Sequence, residues 1–582
     1  MTRNNFQTAL QLHQSGQLDQ AEARYRQILA QNPDDSDTTH LLGVLRLQRG
    51  SLGDGEMLIR QAISLRPDVV QYYGNLASAM LQAQRRSEAI ACMRQIAALE
   101  PNNHALFFRL GKLLATQGQL ALAIEALKSA VALVPANPDY RGILGTTYAH
   151  AKLMDLAAVE LREGIRLTPD DVRFWHNLGS VLCDSGKAEE GLAAFEHALK
   201  LSPGLASVYC NKAAALRQIG RHDEAMTAIR RAVEIDPAGP GVQNNLGALL
   251  YDEGKLEETL DAYRLAVKHD PNSAGAHWNL ARILLRWGLF AEGWEEFEWR
   301  LKYPGMPLDR GFTQPQWDGS DPTGKTILLH AEGGFGDALH FIRLVPQVTA
   351  RGGRWFLECQ PALASLLEGT AGVERVIHRG QPLPEFDMQI PLQGLPRVMG
   401  IRLDNIPNKV PYLQPAADRV EHWAARLAGD ARPRVGLVWA GSKAGVADVR
   451  TRSVELFAPL AGLPDIKFYS LQIGPDSAQT PPAGMDWTDY TAELGDFAET
   501  AALVRNLDLV ITVDTSMAHL AGALAVPVWV VIPFQCDFRW LADRTDSPWY
   551  PTMRLFREPV AGDTATPMAE MVRALREWID RR

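Results

Sequence analysis

Pro33, Pro67, Pro101, Pro135, Pro169, Pro203, Pro237 and Pro271 stand at a fixed step of 34 residues. A period of that size marks an array whose units bury their apolar faces only against their neighbours. Small residues keep the same step: Gly111, Gly145, Gly179, Ala213, Gly247 and Ala281 share one register. Ala89, Ala123, Ala157, Gly191 and Ala225 share a second. Side chains this small let neighbouring helices pack at short distance. Each proline then ends a helix, because it lacks an amide donor and disfavours helix in the residue before it. The period is lost from about Gly311 onward, so the chain holds a long helical array followed by something different.

The 34-residue unit resembles the tetratricopeptide repeat, a helix–turn–helix module that stacks into an α-solenoid superhelix. Eight units run to Asn272, and Ala274 to about Tyr303 reads as a degenerate ninth. That last unit closes on the ring-rich segment Gly293-Trp294-Glu295-Glu296-Phe297-Glu298-Trp299-Arg300, read as a docking surface for the next domain. The solenoid is expected over residues 1–307 and a linker over 308–324. One helical register carries Asn75, Asn177, Asn211, Asn245 and Asn279 and is broken at Leu41, Arg109 and Ile143. A carboxamide both donates and accepts, so Asn177, Asn211, Asn245 and Asn279 could grip a polypeptide backbone as an acceptor-binding ladder. The alternative is a structural Asn, frequent at this position in such repeats.

Composition excludes other classes. A net charge of −9 over 582 residues, with no basic cluster, argues against a nucleic-acid partner. The five cysteines are scattered without metal-ligand spacing and read as buried thiols of a reducing compartment. The N-terminus lacks an apolar signal core, and the most apolar stretch, Leu509 to Phe534, carries Asp514 and His519. No membrane span and a cytoplasmic location are expected.

The second half has strand–turn–helix character. Thr326-Ile327-Leu328-Leu329-His330-Ala331 runs into Glu332-Gly333-Gly334-Phe335-Gly336-Asp337 and an amphipathic stretch, the unit of a parallel α/β sheet. Further strands fall at Arg354–Cys359 and Asp387–Ile390, in a lobe over 325–415. A connector over 416–432 leads to a second lobe over 433–582. Its strands are Arg434–Trp439, Lys467–Gln472, Leu509–Asp514 and Val528–Pro533, and its last helix lies near Met568–Ile579. The glycines do not match a dinucleotide fingerprint. Asp337 at a helix start is favoured by capping alone. Asp514 precedes Thr515-Ser516-Met517-Ala518-His519, where two hydroxyls at a helix N-terminus make an anion site. His519 read alone is more often a satisfied core histidine than a ligand.

Gly336-Asp337 after the first strand and Asp514-Thr515-Ser516-Met517-Ala518-His519-Leu520-Ala521 followed by Val526-Pro527-Val528 resemble glycosyltransferase family 9, the heptosyltransferases. The resemblance covers roughly Lys325 to Ile579. It implies a two-lobed GT-B-like enzyme, inverting and independent of metal or other cofactor, using a nucleotide-sugar donor. By that resemblance Asp337 is the catalytic base. Gly336, Asp514, Thr515, Ser516 and His519 serve the donor, with Lys443 or Arg452 as the cation on its phosphates. Gln472 replaces the acid that some relatives set against the nucleoside.

The repeats set the chain apart from that family and give it the domain order of bacterial tetratricopeptide glycosyltransferases that modify flagellin. The expectation is a transferase acting on a protein or peptide acceptor held in the repeat groove. The alternatives are a transferase for lipopolysaccharide or another glycan, or a repeat scaffold whose transferase domain has decayed.

Overall fold

The repeats open with a helix of eleven to thirteen residues, and the first eight close with one of fourteen, as in Ser36–Gln48 with Leu52–Leu65 and Val172–Asp184 with Ala188–Leu201. The computed structural model describes residues 2–239, 241–303, 310–441, 451–463 and 465–582, with side chains from Asn5 onward. Nine helix pairs fill the first part, from Thr2–Gln14 to Ala274–Arg286 with Phe290–Phe297. The periodic prolines stand just beyond the helix ends: Pro33 follows the cap Asn32, Pro67 follows Arg66 and Pro271 follows Asp270.

The small-residue register has the packing reason expected of it. A Cβ on Gly111 would meet Leu127 Cγ at 2.5 Å, one on Gly145 Leu161 Cγ at 3.0 Å, and one on Gly179 Phe195 Cδ1 at 2.6 Å. In each case the obstructing side chain lies sixteen residues on, in the second helix of the same pair. A methyl there overpacks the pair, at a cost of about 1–3 kcal/mol.

The chain divides into two compact units, residues 1–245 and 246–582. The last repeats therefore belong to the same unit as the α/β part. In that unit the ninth pair ends early, its second helix giving way to a 3-10 turn, Glu298–Lys302. Its rings Phe290, Trp294 and Phe297 are buried. Trp294 lies edge-on to Phe341 and Phe538, with centroids 6.2 and 5.6 Å away. The aromatic close of the ninth repeat thus packs on the α/β region.

Two parallel sheets follow. The first has β1 (Thr326–His330), β2 (Arg354–Cys359), β3 (Arg375–His378) and β4 (Met388–Pro391) in the order β3-β2-β1-β4. The second has β5 (Arg434–Val438), β6 (Lys467–Ser470), β7 (Trp487–Asp489), β8 (Leu509–Val513), β9 (Val528–Ile532) and β10 (Met553–Arg557). Its order is β10-β9-β8-β5-β6-β7. Central strands such as β8 and β9 are buried throughout, which explains their unbroken apolar sequence. In both sheets the chain runs outward one way from the first strand and then reverses, leaving a switch point between β1 and β4 and another between β5 and β8. Ligands of open α/β sheets bind outside the carboxyl ends of strands at such points.

Two segments are more integrated than the sequence suggests. The part of the expected linker from Arg310 to Gly324 is built into the first sheet. Trp317 N donates to Gln389 O at 2.8 Å, Gln389 N donates to Pro315 O at 3.1 Å, and the Trp317 ring is wholly buried against Trp355. The connector holds a helix, Ala417–Leu427, whose buried Trp423 donates through Nε1 to Glu499 Oε1 at 2.7 Å. The five cysteines are buried and unpaired by disulfides. Among the described residues no helix is long and apolar enough to cross a membrane.

Candidate active site

The turns leaving β1, β5, β6, β8 and β9 converge on one cavity of about 730 Å³. Its lining takes Gly333 to Asp337 from the first sheet, and Ala440, Gln472, Asp514 to Met517, His519, Asp537 and Arg539 from the second. Both switch points therefore open into the same space.

Asp337 lies in the first turn of the helix Phe335–Phe341 and closes a capping turn, its Oδ2 accepting from Gly334 N at 3.0 Å. The other oxygen, Oδ1, accepts from Arg539 Nη2. Arg539 is itself buried and donates through Nη1 to Asp537 Oδ1 at 2.8 Å. Burial alone would lower its pKa, but the carboxylates of Asp537, Asp337 and Asp514 reverse this and raise it. The sequence reading does not reach Arg539. The available signal is its place: it follows β9 in the first charged loop after a fully apolar buried strand, where ligand-binding side chains collect.

The second turn is organised by Thr515. It caps the helix Ser516–Ala523, its hydroxyl accepting from Met517 N at 3.2 Å and lying 3.0 Å from Thr512 Oγ1. Asp514 is buried just before it, and the Ser516 residue lines the cavity. His519 is buried one turn on. Its Nδ1 lies 3.0 Å from the Tyr550 hydroxyl, which lies equally close to Nδ1 of His340. Burial first, then the nearby Arg539 and Arg343 guanidiniums, hold His519 far below the usual imidazole range, so the ring is neutral. Gly336 is the point where the helix of the first lobe crosses this ring. A Cβ there would meet His519 Cδ2 at 2.9 Å. Gly336 thus brings Asp337 and the Thr515 turn close together by having no side chain.

Two expected donor residues stand differently. Gln472 lines the cavity, yet its carboxamide is fully used by backbone. Oε1 accepts from Trp439 N at 3.0 Å and Ala440 N at 2.8 Å, and Nε2 donates to Ala440 O and Ile473 O at 3.1 Å each. It fixes the turn after β5 and has no hydrogen left for a nucleoside base. Arg452 donates to the buried Glu558 Oε1 at 2.5 Å and is not among the cavity-lining residues. Lys443 lies outside the described residues. Of the expected set, Asp337, Gly336, Asp514, Thr515, Ser516 and His519 come together with Gln472. Among the described residues, the guanidiniums in the lining are Arg539 and Arg379.

The last repeats touch this site through two connections. Arg300, fully buried in the turn that ends the ninth pair, donates to Glu332 Oε2 at 2.9 Å and to Glu298 Oε1 at 2.7 Å. Glu332 is the residue just before the Gly333–Asp337 turn. On the other side, Arg286 Nη2 donates to Phe534 O at 3.0 Å and Gln535 Nε2 donates to Asp252 Oδ1 at 2.6 Å. These bonds clamp the loop that carries Asp537 and Arg539.

The acceptor-ladder residues are bound up with neighbouring repeats. Asn211 Nδ2 donates to His176 Nε2 at 2.9 Å and Ser180 Oγ at 3.1 Å, and Asn75 Nδ2 to His40 Nε2 at 2.9 Å. Asn245 stands by the Cys210 thiol and offsets part of the pKa rise that burial gives it. In each case one partner stands 35 residues earlier. At Asn177 that place is Gly142, and among the described residues the Asn177 carboxamide has no partner. Asn279 lies on a separate water-sized cavity with Tyr251, Arg286 and Phe538.

Comparison with known proteins agrees with the repeat geometry. A family model described as the Cilia and flagella-associated protein 70 C-terminal domain matches residues 47–282, and a tetratricopeptide-repeat model matches residues 7–70. The first part of the chain is a tetratricopeptide-repeat solenoid. Protein FlbA of Caulobacter vibrioides is 28% identical over 320 residues, covering 50% of this chain and 53% of that protein. The chain thus spans about half the length of the curated relative it matches. Among solved structures, MamA is 24% identical with a TM-score of 0.28, covering 29% of this chain and 92% of MamA. A thermophilic tetratricopeptide protein of Thermus thermophilus is 21% identical with a TM-score of 0.29, covering 31% of this chain and 99% of its own.

Proposed function

We propose that this chain is a protein glycosyltransferase of the two-lobed B type, inverting and independent of metal, whose repeats hold a polypeptide acceptor. The observation that carries the reading is the meeting of Asp337, from the switch point of one sheet, with Asp514, Thr515, Ser516 and His519, from the switch point of the other, around one cavity. The cavity is of the size that takes a small-molecule ligand. In the reaction, an acceptor hydroxyl oxygen bonds to the anomeric carbon as the carbon–oxygen bond to the donor phosphate breaks. The bonding pair leaves with the nucleotide, and Asp337 takes the hydroxyl proton as general base. The start of the helix Ser516–Ala523 and the cavity guanidiniums offset the charge that grows on the phosphate. The resemblance in domain order to flagellin-modifying enzymes makes a flagellin the first acceptor to try.

The rival reading is a repeat scaffold whose transferase half no longer acts. It is favoured by the Arg539–Asp337 ion pair, since a carboxylate engaged by a guanidinium is not poised to take a proton. One assay separates the two. Purified protein is supplied with a panel of nucleotide sugars and with proteins that co-purify with it, and the products are read by mass spectrometry. The transferase reading expects sugar on a polypeptide, undiminished in EDTA, and lowered by about two to four orders of magnitude in Asp337→Asn. Absence of donor cleavage and of transfer across the panel would favour the scaffold. Loss in chelator with recovery in manganese would overturn metal independence.

A further inference from the structure

The guanidinium of Arg539 is only partly satisfied, and the shortfall has a shape. Its Nη1 is paired with Asp537, and its Nη2 with Asp337 Oδ1, but Nε is buried with no hydrogen-bond partner. Nε and Nη2 form the side-on edge of a guanidinium, which fits two oxygens of one carboxylate or phosphate. Asp337 fills half of that edge. It cannot fill the rest, because its second oxygen is held by the Gly334 amide in the capping turn. Leaving a buried donor unmet is costly. Arg539 is thus a cation within the cavity lining whose best acceptor, a group with two free oxygens, is not Asp337.

We propose that Arg539 receives the donor phosphate next to the sugar, and that its pair with Asp337 latches the base until the donor arrives. This rests on the transferase reading above. A phosphate on the Nε–Nη2 edge takes the place of Asp337 Oδ1, and that oxygen becomes free to accept the proton of the acceptor hydroxyl. Asp537 stays on Nη1 and keeps the guanidinium oriented. The loop cannot drift during the exchange, because Arg286 and Asp252 of the last repeats hold it at Phe534 and Gln535. The latch also accounts for the choice of cation. Arg452 is committed to Glu558, whereas Arg539 stands between both lobes and can report the presence of donor to the base.

The test is calorimetric titration of the full chain with UDP, GDP, CDP, ADP and CMP. One of them should bind, and Arg539→Lys should weaken it at least about tenfold, since an ammonium cannot offer the two-donor edge. Asp337→Asn should do the opposite. It removes the competing carboxylate, so the same nucleotide should bind several-fold tighter although catalysis is lost. Because Asp337→Asn keeps the shape of the side chain, it decides the matter even where Arg539→Lys fails to fold. Unchanged or weaker nucleotide binding in Asp337→Asn would overturn the latch while leaving the donor site standing. Failure of all five nucleotides to bind the wild-type chain would overturn the transferase reading itself.

Discussion

His330 closes β1 inside the first sheet, where its ring is buried and its Nε2 donates to Gln389 Oε1 at 2.8 Å. Its Nδ1 is also buried and has no hydrogen-bond partner, so a second proton there meets neither water nor an acceptor. Burial accordingly lowers the pKa from 6.5 to about 4, against the smaller raising effect of the Gln389 bond. The unfolded chain takes up that proton below about pH 6.5 and the folded chain only near pH 4. Stability from this group is therefore complete above the unfolded value and is lost as pH falls through the window, by about 3 kcal/mol in all. Replacing it in His330→Gln removes the titration. Thermal midpoints of the variant should fall less than those of wild type between pH 7.5 and 4.5, and equal slopes would refute the assignment. At this scale the sequence is uneven as a guide. Asp514, Thr515, Ser516 and His519 are legible because a strand-to-helix turn has few ways to fold. Gln472 reaches the cavity as expected, but its carboxamide is spent on backbone, which its place in the sequence does not announce. Arg539 is missed because its importance comes from an oxygen on the other lobe, 202 residues away.

The helix pairs carry a second 34-residue period that complements the prolines. Gly16, Gly50, Gly118, Gly186, Gly220, Gly254 and Gly288 lie in the turn inside a pair, all with φ between 72° and 80°. Two repeats break the glycine pattern and keep the geometry: Gln84 has φ 61° and Lys152 φ 62°. A side chain in that left-handed region costs about 1–2 kcal/mol, part of which glycine returns as entropy of the unfolded chain. Lys152→Gly should thus stabilise the solenoid by a net of about 0.5–1 kcal/mol, read as a higher urea midpoint at unchanged m-value. The reverse change, Gly118→Ala, should lower the midpoint; a gain there would contradict the strain argument. Elements that obey a period are readable because each repeat restates the same constraint. The strands β3, β7 and β10 escape the sequence reading, and all three are sheet edges with mixed polarity and short length. An edge strand needs neither an apolar run nor strict alternation, so its sequence marks it weakly.

In the molecule as a whole, one side-chain register serves two purposes that the 34-residue spacing alone does not separate. The Asn at the repeat register can face a ligand or tie its repeat to the one before, and only the residue 35 positions earlier decides which. His40, His176 and Cys210 supply a partner, so Asn75, Asn211 and Asn245 stitch repeats together. Gly142 supplies none, which leaves Asn177 with its donors and acceptor available to a bound polypeptide. The four-residue ladder expected from spacing is thereby resolved into members with different consequences. Asn211→Ala removes the donor to His176 and Ser180 and should lower stability by about 1 kcal/mol, whatever it does to an acceptor. Asn177→Ala deletes no internal bond and should leave stability within about 0.5 kcal/mol of wild type. If the solenoid presents the acceptor, that variant should still weaken protein modification by the value of one net hydrogen bond, about two- to twelve-fold. Donor hydrolysis should stay unchanged, because the Asn177 side chain has no part in the cavity. The measurement is the ratio of polypeptide transfer to donor hydrolysis in the two variants. A ratio unchanged in Asn177→Ala would place the acceptor elsewhere than at this rung, and the stitching role would then be enough to explain the register.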